Sequence, residues 1–301
     1  MPAQIRVIAN HKSGRNSRDR QAIEQAMEVF GPDARRIDWQ PGSDLSALID
    51  RAVADGGDLV VAAGGDGTVM ATASAMVGRD VPMAVLPLGT FNFFARGLGF
   101  SEDPETAARQ IVDGRPHDIR VGQVNGQTFL NNASLGIYPK ILRERETVYR
   151  RWGRRRIAAH WSVLKTMLRF RKPLRLTLDL DGQRSEERTA MIFVARSAYQ
   201  LDFFGLNGAD LISDDRFAVL VARARSRRRL MALAWRLARG KAVEGQDYEL
   251  LSARSLTVKT ARKKATLAFD GEKRREASPF EFRMSDDPLR IILPVDREPS
   301  S

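Results

Sequence analysis

Apolar residues in the first third of the chain come in two patterns. Ile5–Ala9, Leu59–Ala63 and Met83–Leu86 are short apolar runs of strand length. Between them, Ser17–Phe30 carries Ile23, Ala26, Met27 and Phe30 at helical spacing, and Asp44–Ala54 carries Leu45, Leu48, Ile49 and Ala52 on one face. Arg35–Trp39 is a further candidate strand, closed by the turn Gln40-Pro41-Gly42. Apolar runs alternating with amphipathic helices predict a parallel sheet buried on both faces.

The pattern changes near residue 115. Thr128–Leu130, Leu174–Asp179, Met191–Ala195, Phe217–Ala222, Ser255–Lys259 and Ala265–Phe269 read as strands separated mostly by turns, as in an antiparallel β domain. Arg155–Arg169 and Arg227–Arg239 read as helices within it. The expected fold class is α/β: an N-terminal parallel-sheet domain over 1–115, then a mainly antiparallel, β-sandwich-like domain over 116–285. The last apolar run, Leu289–Val295, is free to join either domain, and the segment 286–297 is the candidate to return to the first.

Charge adds a partner to this outline. The formal balance is +12, and it is concentrated. Lys140–Lys172 holds twelve Lys/Arg against two Glu, and Arg223–Lys241 holds eight Lys/Arg and no acid, so the remainder is acidic. Basic stretches of this kind bind anionic lipid or nucleic acid, or simply face solvent. Trp161, Leu164, Met167 and Leu168 follow Arg150–Arg156 at helical spacing, and Arg227–Arg229 precede Leu230–Leu237. Both segments can lie on a membrane surface or pack into a core. The chain start lacks the apolar core of a signal peptide, and no apolar run approaches about 18 residues, so a lipid partner would be met from the surface. There is no cysteine, which excludes disulfides, thiolate metal sites and thiol nucleophiles and suits the cytosol.

The candidate chemistry lies at strand ends. Leu59–Ala63 runs into Gly64-Gly65-Asp66-Gly67-Thr68 and then a helix starting near Thr68. Glycines allow a tight turn and close approach to a ligand, and a helix N-terminus favours phosphate. A carboxylate there is repelled by phosphate unless it holds a metal ion or accepts a proton; otherwise Asp66 is an N-cap. Met83–Leu86 leads similarly into Pro87-Leu88-Gly89-Thr90-Phe91-Asn92, where Thr90 can cap a helix and Asn92 can bond a nucleotide. In open α/β sheets ligands bind at that carboxyl edge. Asn10-His11-Lys12-Ser13-Gly14-Arg15 ends the first strand at the same edge. Far along the chain, Asp270-Gly271-Glu272 is either a plain hairpin turn or a pair of carboxylates delivered to a substrate.

No G-x-x-x-x-G-K-[ST] loop and no protein-kinase catalytic loop occur, and Gly65-x-Gly67 lacks the third glycine of a dinucleotide fingerprint. His11, His117 and His160 show no metal-ligand spacing. No recognition motif accompanies the basic runs, so nucleic acid is not the expected partner.

Gly64–Thr68 with Pro87-Leu88-Gly89-Thr90-x-Asn92-x-x-Ala95-Arg96 resembles the catalytic domain of diacylglycerol and sphingosine kinases; the first element is shared with NAD kinases and 6-phosphofructokinases. The resemblance continues through Phe129–Tyr138, Asp214-Asp215 and Asp270-Gly271-Glu272, over roughly residues 4–295, and favours the bacterial lipid kinases. It implies an active site in a cleft between the two domains. It implies that Asn10, Ser13, Gly64, Gly65, Gly67, Thr68, Gly89, Thr90 and Asn92 contact ATP, that Asp66 acts through Mg²⁺, and that Asp270 or Glu272 is the general base on a lipid hydroxyl. It further implies a structural Mg²⁺ at Asp215 with the carbonyls of Ile212 and Phe217. It also implies a cytoplasmic protein peripheral to the inner face of the plasma membrane, with anionic phospholipid as a partner and a homodimer as a possible assembly. Departures from the pattern are His11 for proline, Gln40 for a frequent threonine, Phe93 for aspartate, Arg216 for glycine, and Arg196-Ser197 where an asparagine is expected. The expected function is transfer of the ATP γ-phosphate to a lipid hydroxyl, diacylglycerol first. The alternatives are a kinase of a soluble acceptor, as in NAD kinases, and a non-catalytic nucleotide- or phospholipid-binding regulator.

Overall fold

The computed structural model describes residues 4–10, 17–137, 172–212 and 215–295. The loop residues His11–Arg15, Tyr138, Asp214, the expected helix Arg155–Arg169 and the basic stretch up to residue 171 lie outside them. The chain forms two units: 1–122 with 285–301, and 123–284.

In the first unit β1 (Ile5–Asn10), α1 (Ser17–Phe30), β2 (Arg35–Trp39), α2 (Leu45–Ala54), β3 (Leu59–Gly64), α3 (Asp66–Met76) and β4 (Met83–Pro87) alternate. They are followed by α4 (Phe93–Gly97), α5 (Pro104–Asp113) and β5 (Arg115–Ile119), and the unit is completed by β18 (Leu289–Leu293). The sheet order is β2-β1-β3-β4-β18-β5. β1, β2, β3, β4 and β18 run parallel, and β5 is antiparallel to β18 at one edge. β3 and β4 are buried throughout, which is why they are apolar without alternation. Asp44 caps α2 by accepting from the Ala47 amide, and Asp103 caps α5 by accepting from the Thr106 amide with Pro104 next to it, as helix starts favour. The final strand joins this sheet because Ile291, fully buried, stands beside Met83 of β4.

The second unit holds two antiparallel sheets forming a β-sandwich. One has the order β10-β9-β14-β17-β6-β7, from β6 (Gly122–Val124), β7 (Gln127–Phe129), β9 (Leu174–Leu180), β10 (Gln183–Thr189), β14 (Leu256–Thr260) and β17 (Phe280–Met284). The other has the order β13-β12-β11-β8-β15-β16, from β8 (Asn132–Gly136), β11 (Met191–Ala195), β12 (Phe217–Ala222), β13 (Tyr248–Ala253), β15 (Lys264–Phe269) and β16 (Glu272–Ala277). Phe129 packs across the sandwich, 5.8 Å from the Phe217 ring and 6.3 Å from the Phe282 ring. Two helices lie in this unit among the described residues, α6 (Ala198–Phe203) and α7 (Arg227–Leu237).

Strands β10 and β16 carry no apolar run that would mark them in the sequence. Both are sheet edges, with sequences Gln-Arg-Ser-Glu-Glu-Arg-Thr and Glu-Lys-Arg-Arg-Glu-Ala. Charged edge strands block pairing with another chain, and they hide from hydrophobic patterning for the same reason.

Replacing Ile291 by Ala should cost about 2–5 kcal/mol, because a buried aliphatic residue leaves a cavity between β4 and β5. Urea unfolding followed by circular dichroism measures it, and a loss below about 1 kcal/mol would show that β18 contributes little to the first unit.

Candidate functional site

In the first unit the parallel strands deliver Asn10, Gly64 and Pro87 to one edge of the sheet. β1 lies between β2 and β3, so the chain reverses its direction of winding at β1, and in open α/β sheets such a switch point opens the ligand crevice.

Gly64 ends β3 and Gly65 is the N-cap of α3, with no side chain capping that helix. The helix therefore begins at Asp66, two residues before Thr68, and Asp66 is not its N-cap. The loop after β4 packs directly on the loop after β3. A Cβ on Gly89 would lie 2.6 Å from the Gly65 Cα and 2.6 Å from Asn92 Oδ1, so neither loop admits a side chain there. A Cβ on Gly64 would meet Thr68 at 2.7 Å. Gly67 differs: a Cβ there would meet nothing within 4 Å, so packing does not explain the glycine, and the space in front of it suits a ligand.

Asn92 takes the left-handed conformation at φ 50° and occupies the N-cap of α4, the position expected for Thr90. Its side chain is turned inward. Oδ1 accepts from the Gly89 amide at 2.8 Å and Nδ2 donates to the Gly89 carbonyl at 3.0 Å. These two bonds brace the Gly89 loop, while Thr90 is exposed. The Asp66 carboxylate completes the junction, with Oδ2 accepting from the Asn92 amide at 3.1 Å. Burial raises the Asp66 pKa above the ordinary carboxylate value, and the amides of Phe93, Asn92 and Phe94 pull it back only in part. Phe91 and Phe93 stack beside this loop with centroids 5.4 Å apart.

The second set of residues lies in the second unit. Asp270 and Gly271 form the two-residue turn between β15 and β16, both with positive φ, 44° and 86°. This is the turn that Asp-Gly favours. The Asp270 carboxylate, however, is also a clamp. It accepts from the backbone amides of Leu130 at 2.5 Å, Asn131 at 2.9 Å and Asn132 at 3.1 Å, which fixes the entry to β8. Glu272 is exposed. Close to the clamp, Asn131 Oδ1 and Asn132 Oδ1 are buried acceptors with no partner among the described residues.

The third set, at Asp215, is held differently from the expected metal site. Arg196 Nη1 donates to the Ile212 carbonyl at 3.1 Å, and Nη2 lies 3.5 Å from Asp215 Oδ1. Two of the three expected ligands therefore already face a cation, and a divalent ion does not fit. Phe217, the third, is the first residue of β12, in register with Ala253. Among the described residues no cluster of three or more His, Asp or Glu is placed to hold a metal. Asn10 closes β1, and Ser13 lies outside the described residues. Neither Arg196 nor the Asn131–Asn132 acceptors were assigned a role in the sequence; the signals were Arg196 standing where an asparagine was expected and Asn131-Asn132 lying within the Phe129–Tyr138 stretch of the resemblance.

An α/β sheet with two glycine loops at its carboxyl edge, joined in one chain to a β-sandwich, defines the class. The Diacylglycerol kinase catalytic domain model matches residues 4–124, and the YegS C-terminal NAD kinase beta sandwich-like domain model matches residues 141–293. The chain belongs to the family that these two domain models describe. It is 36% identical over 139 residues to a "Probable lipid kinase YegS-like" of Pseudomonas aeruginosa, a match spanning 46% of this chain and 45% of that one, so under half of the relative's length is covered. It is 28% identical over 238 residues to a "Diacylglycerol kinase" of Mycobacterium tuberculosis, covering 77% of this chain and 74% of that one. A crystal structure of a diacylglycerol kinase from Bacillus anthracis superposes with a TM-score of 0.67 at 18% identity over 97% of both chains, which shows the fold.

The raised Asp66 pKa gives a test. The folded state favours the protonated carboxyl, so its contribution to stability is full below the ordinary carboxylate range and is lost as pH rises through the folded value. Asp66→Asn should therefore melt above wild type at pH 7–8, with the gain shrinking as pH falls through the raised folded value and gone by about pH 4, the ordinary carboxylate value. Thermal melts across pH read this, and equal melting at pH 8 would mean that the amides fully offset burial.

Proposed function

We propose that the protein transfers the γ-phosphate of ATP to the hydroxyl of a membrane lipid, with diacylglycerol as the first candidate. The observation that carries this reading is the contact of the two glycine loops at Gly65 and Gly89, with Asp66 between them and open space at Gly67. The amides at the start of α3 and the positive end of its dipole suit a polyphosphate. Asp66 supplies the single carboxylate that a magnesium ion arriving on a triphosphate requires, since such ions take one or two carboxylates and fill their remaining positions with phosphate and water. When bound, that ion would neutralise the β- and γ-phosphate oxygens.

The transfer demands positioning and charge balance rather than covalent chemistry by the protein. The lipid oxygen forms a bond to the γ-phosphorus, the bond to the β-phosphate bridging oxygen breaks, and ADP leaves. The hydroxyl proton goes to a carboxylate. Of the two candidates, Glu272 is the better base, because Asp270 spends its acceptors on three backbone amides. Asp270 is assigned to holding Leu130–Asn132 in place.

Incubation with γ-labelled ATP, Mg²⁺ and a total lipid extract should yield a labelled lipid, whose head group names the substrate. Glu272→Gln should lower the rate about 10²–10⁴-fold with ATP affinity retained. Label in a soluble acceptor such as NAD, with none in lipid, would establish the soluble-substrate alternative. ATP binding without any transfer would establish the regulator.

We also propose that α7 meets the bilayer, a peripheral contact on the cytoplasmic face. Leu230 and Leu233 bury one side of α7, while Met231 and Trp235 face outward, Trp235 being 61% exposed. Arg227, Arg228 and Arg229 open the helix, and the Arg239 guanidinium stacks 3.5 Å above the Trp235 ring. Gly205 backs on to Gly240, where its Cβ would lie 3.2 Å from the Gly240 Cα, and this brings the exposed pair Phe203 and Phe204 towards the end of the same helix. Exposed aromatic groups on a helix that carries arginine at both ends suit an anionic interface. No helix among the described residues is long and apolar enough to cross a membrane. Co-sedimentation with vesicles should rise with anionic lipid and fall with salt, and replacing Arg227 and Arg228 by Ala should weaken it about tenfold or more, at about 1 kcal/mol per arginine. Binding indifferent to lipid charge would remove this contact.

A further inference from the structure

We propose that Arg196 is a built-in cation: its guanidinium occupies the place where the Asp215 turn would otherwise need a divalent metal ion, and it makes the second unit independent of that metal.

Two oxygen atoms of the described residues, the Ile212 carbonyl and Asp215 Oδ1, face one guanidinium. The short 3₁₀ segment Asp210–Ile212 ends in the Ile212 carbonyl, and Asp215 follows with φ 56°, a left-handed conformation that a non-glycine residue adopts at some cost. Converging carboxylate and carbonyl oxygens make a hard-cation site, and without positive charge they repel one another. Here the positive charge comes from the chain. Nη1 donates to Ile212 O at 3.1 Å while Nη2 faces Asp215 Oδ1 at 3.5 Å, so one planar group bridges both sides of the turn. The fixed fork of arginine suits such bridging, whereas lysine offers a point charge.

Arg196 is committed to this position. It follows β11 directly, and its side chain is 18% exposed against 48% for Asp215. Burial pulls its pKa down and Asp215 pulls it up, yet a guanidinium stays charged under all relevant conditions. A divalent ion would sit about 2.0–2.6 Å from the same oxygens and meet the guanidinium as a like charge a few ångströms away. The arginine and the metal therefore exclude each other. The next residue adds a second cation. Arg216 donates through Nε to Ser252 Oγ at 2.7 Å, and its Nη2 lies 3.2 Å from Asp181 Oδ2, which ties the turn to β13 and to the β9–β10 hairpin.

The backbone at residue 196 also joins this turn to the Asp270 clamp. The Arg196 amide donates to the Asn131 carbonyl at 2.8 Å, and the Asn131 amide is one of the three held by Asp270. Asn132, the next residue, bonds through Nδ2 to Gln200 Oε1 at 2.8 Å in α6. The same short stretch of β8 thus receives the clamp on one side and the arginine strand on the other.

The test reads stability, not activity, so it stands apart from the kinase assignment. Thermal unfolding of the nucleotide-free full chain is measured in EDTA and in millimolar Mg²⁺ or Ca²⁺, for wild type, Arg196→Ala and Asp215→Asn. Wild type should melt at the same temperature in all three conditions. Arg196→Ala should melt lower by about 5 °C or more in EDTA and recover at least part of that on adding Ca²⁺ or Mg²⁺. Arg196→Gln serves if the alanine variant is not recovered folded. Terbium luminescence should report a site in the Arg196 variant that wild type lacks and that a second substitution, Asp215→Asn, removes. A wild-type protein stabilised by divalent ions in a way that Asp215→Asn abolishes would overturn the proposal. So would an Arg196 variant that is as stable as wild type in EDTA, or one whose lost stability no divalent ion restores.

Discussion

The first unit depends on the approach of two backbones. β3 and β4 are neighbouring parallel strands, so their carboxyl ends emerge side by side, and the loops that follow must pass within contact of each other. Only glycine allows that passage, because a Cβ on Gly89 would enter the Gly65 backbone. Once the loops touch, the rest is determined. Asn92 folds back on Gly89, Asp66 accepts from the amides that open α4, and Gly67 is left facing open space. A carboxylate kept in a partly buried place at an energetic cost is the kind of compromise that a functional loop carries.

The second unit is organised by charges that hold backbone. Asp270 gathers three amides of the β8 entry, and Arg196 faces the Ile212 carbonyl and the Asp215 carboxylate while its own amide reaches Asn131. These interactions leave Glu272 exposed at the head of β16, on a hairpin whose geometry is set by Asp270 and Gly271 in the left-handed region. Of two carboxylates two residues apart, one is thereby tied to backbone and the other is left to solvent.

Helices α1, α2 and α7 and the buried strands β1, β3, β4 and β12 were legible because their patterns are physical necessities, whereas helix α5 and the buried strand β8 were not read as elements. A strand covered on both faces must be apolar throughout, as β3 and β4 are, and a helix resting on a sheet must repeat every three to four residues, as α2 does. The glycine loops were legible because glycine is needed where the backbone turns or is crowded. The polar edge strands β10 and β16 escaped the pattern, since their neighbours pair with them on one side only and solvent accepts their charges. The short helix α6 escaped because its length gives too few turns to show a period.

The sequence by itself determined the fold class, the strand-to-helix loops and the family, because each rests on residue type and local order. The tertiary structure decided what the polar groups in those loops do. Asn92 and Thr90 are both able to cap or to bind a ligand, and only the Gly89 backbone lying within reach turned Asn92 inward and left Thr90 exposed. Asp270 and Glu272 are alike in a sequence, and only the three amides of a strand entry distant in the chain separated their surroundings. Likewise an acidic turn announces a cation, but a metal and an arginine from another strand satisfy it equally in a one-dimensional reading. Long-range contacts choose between them, because a side chain's charge acts on what is near in space, whatever lies between in the chain.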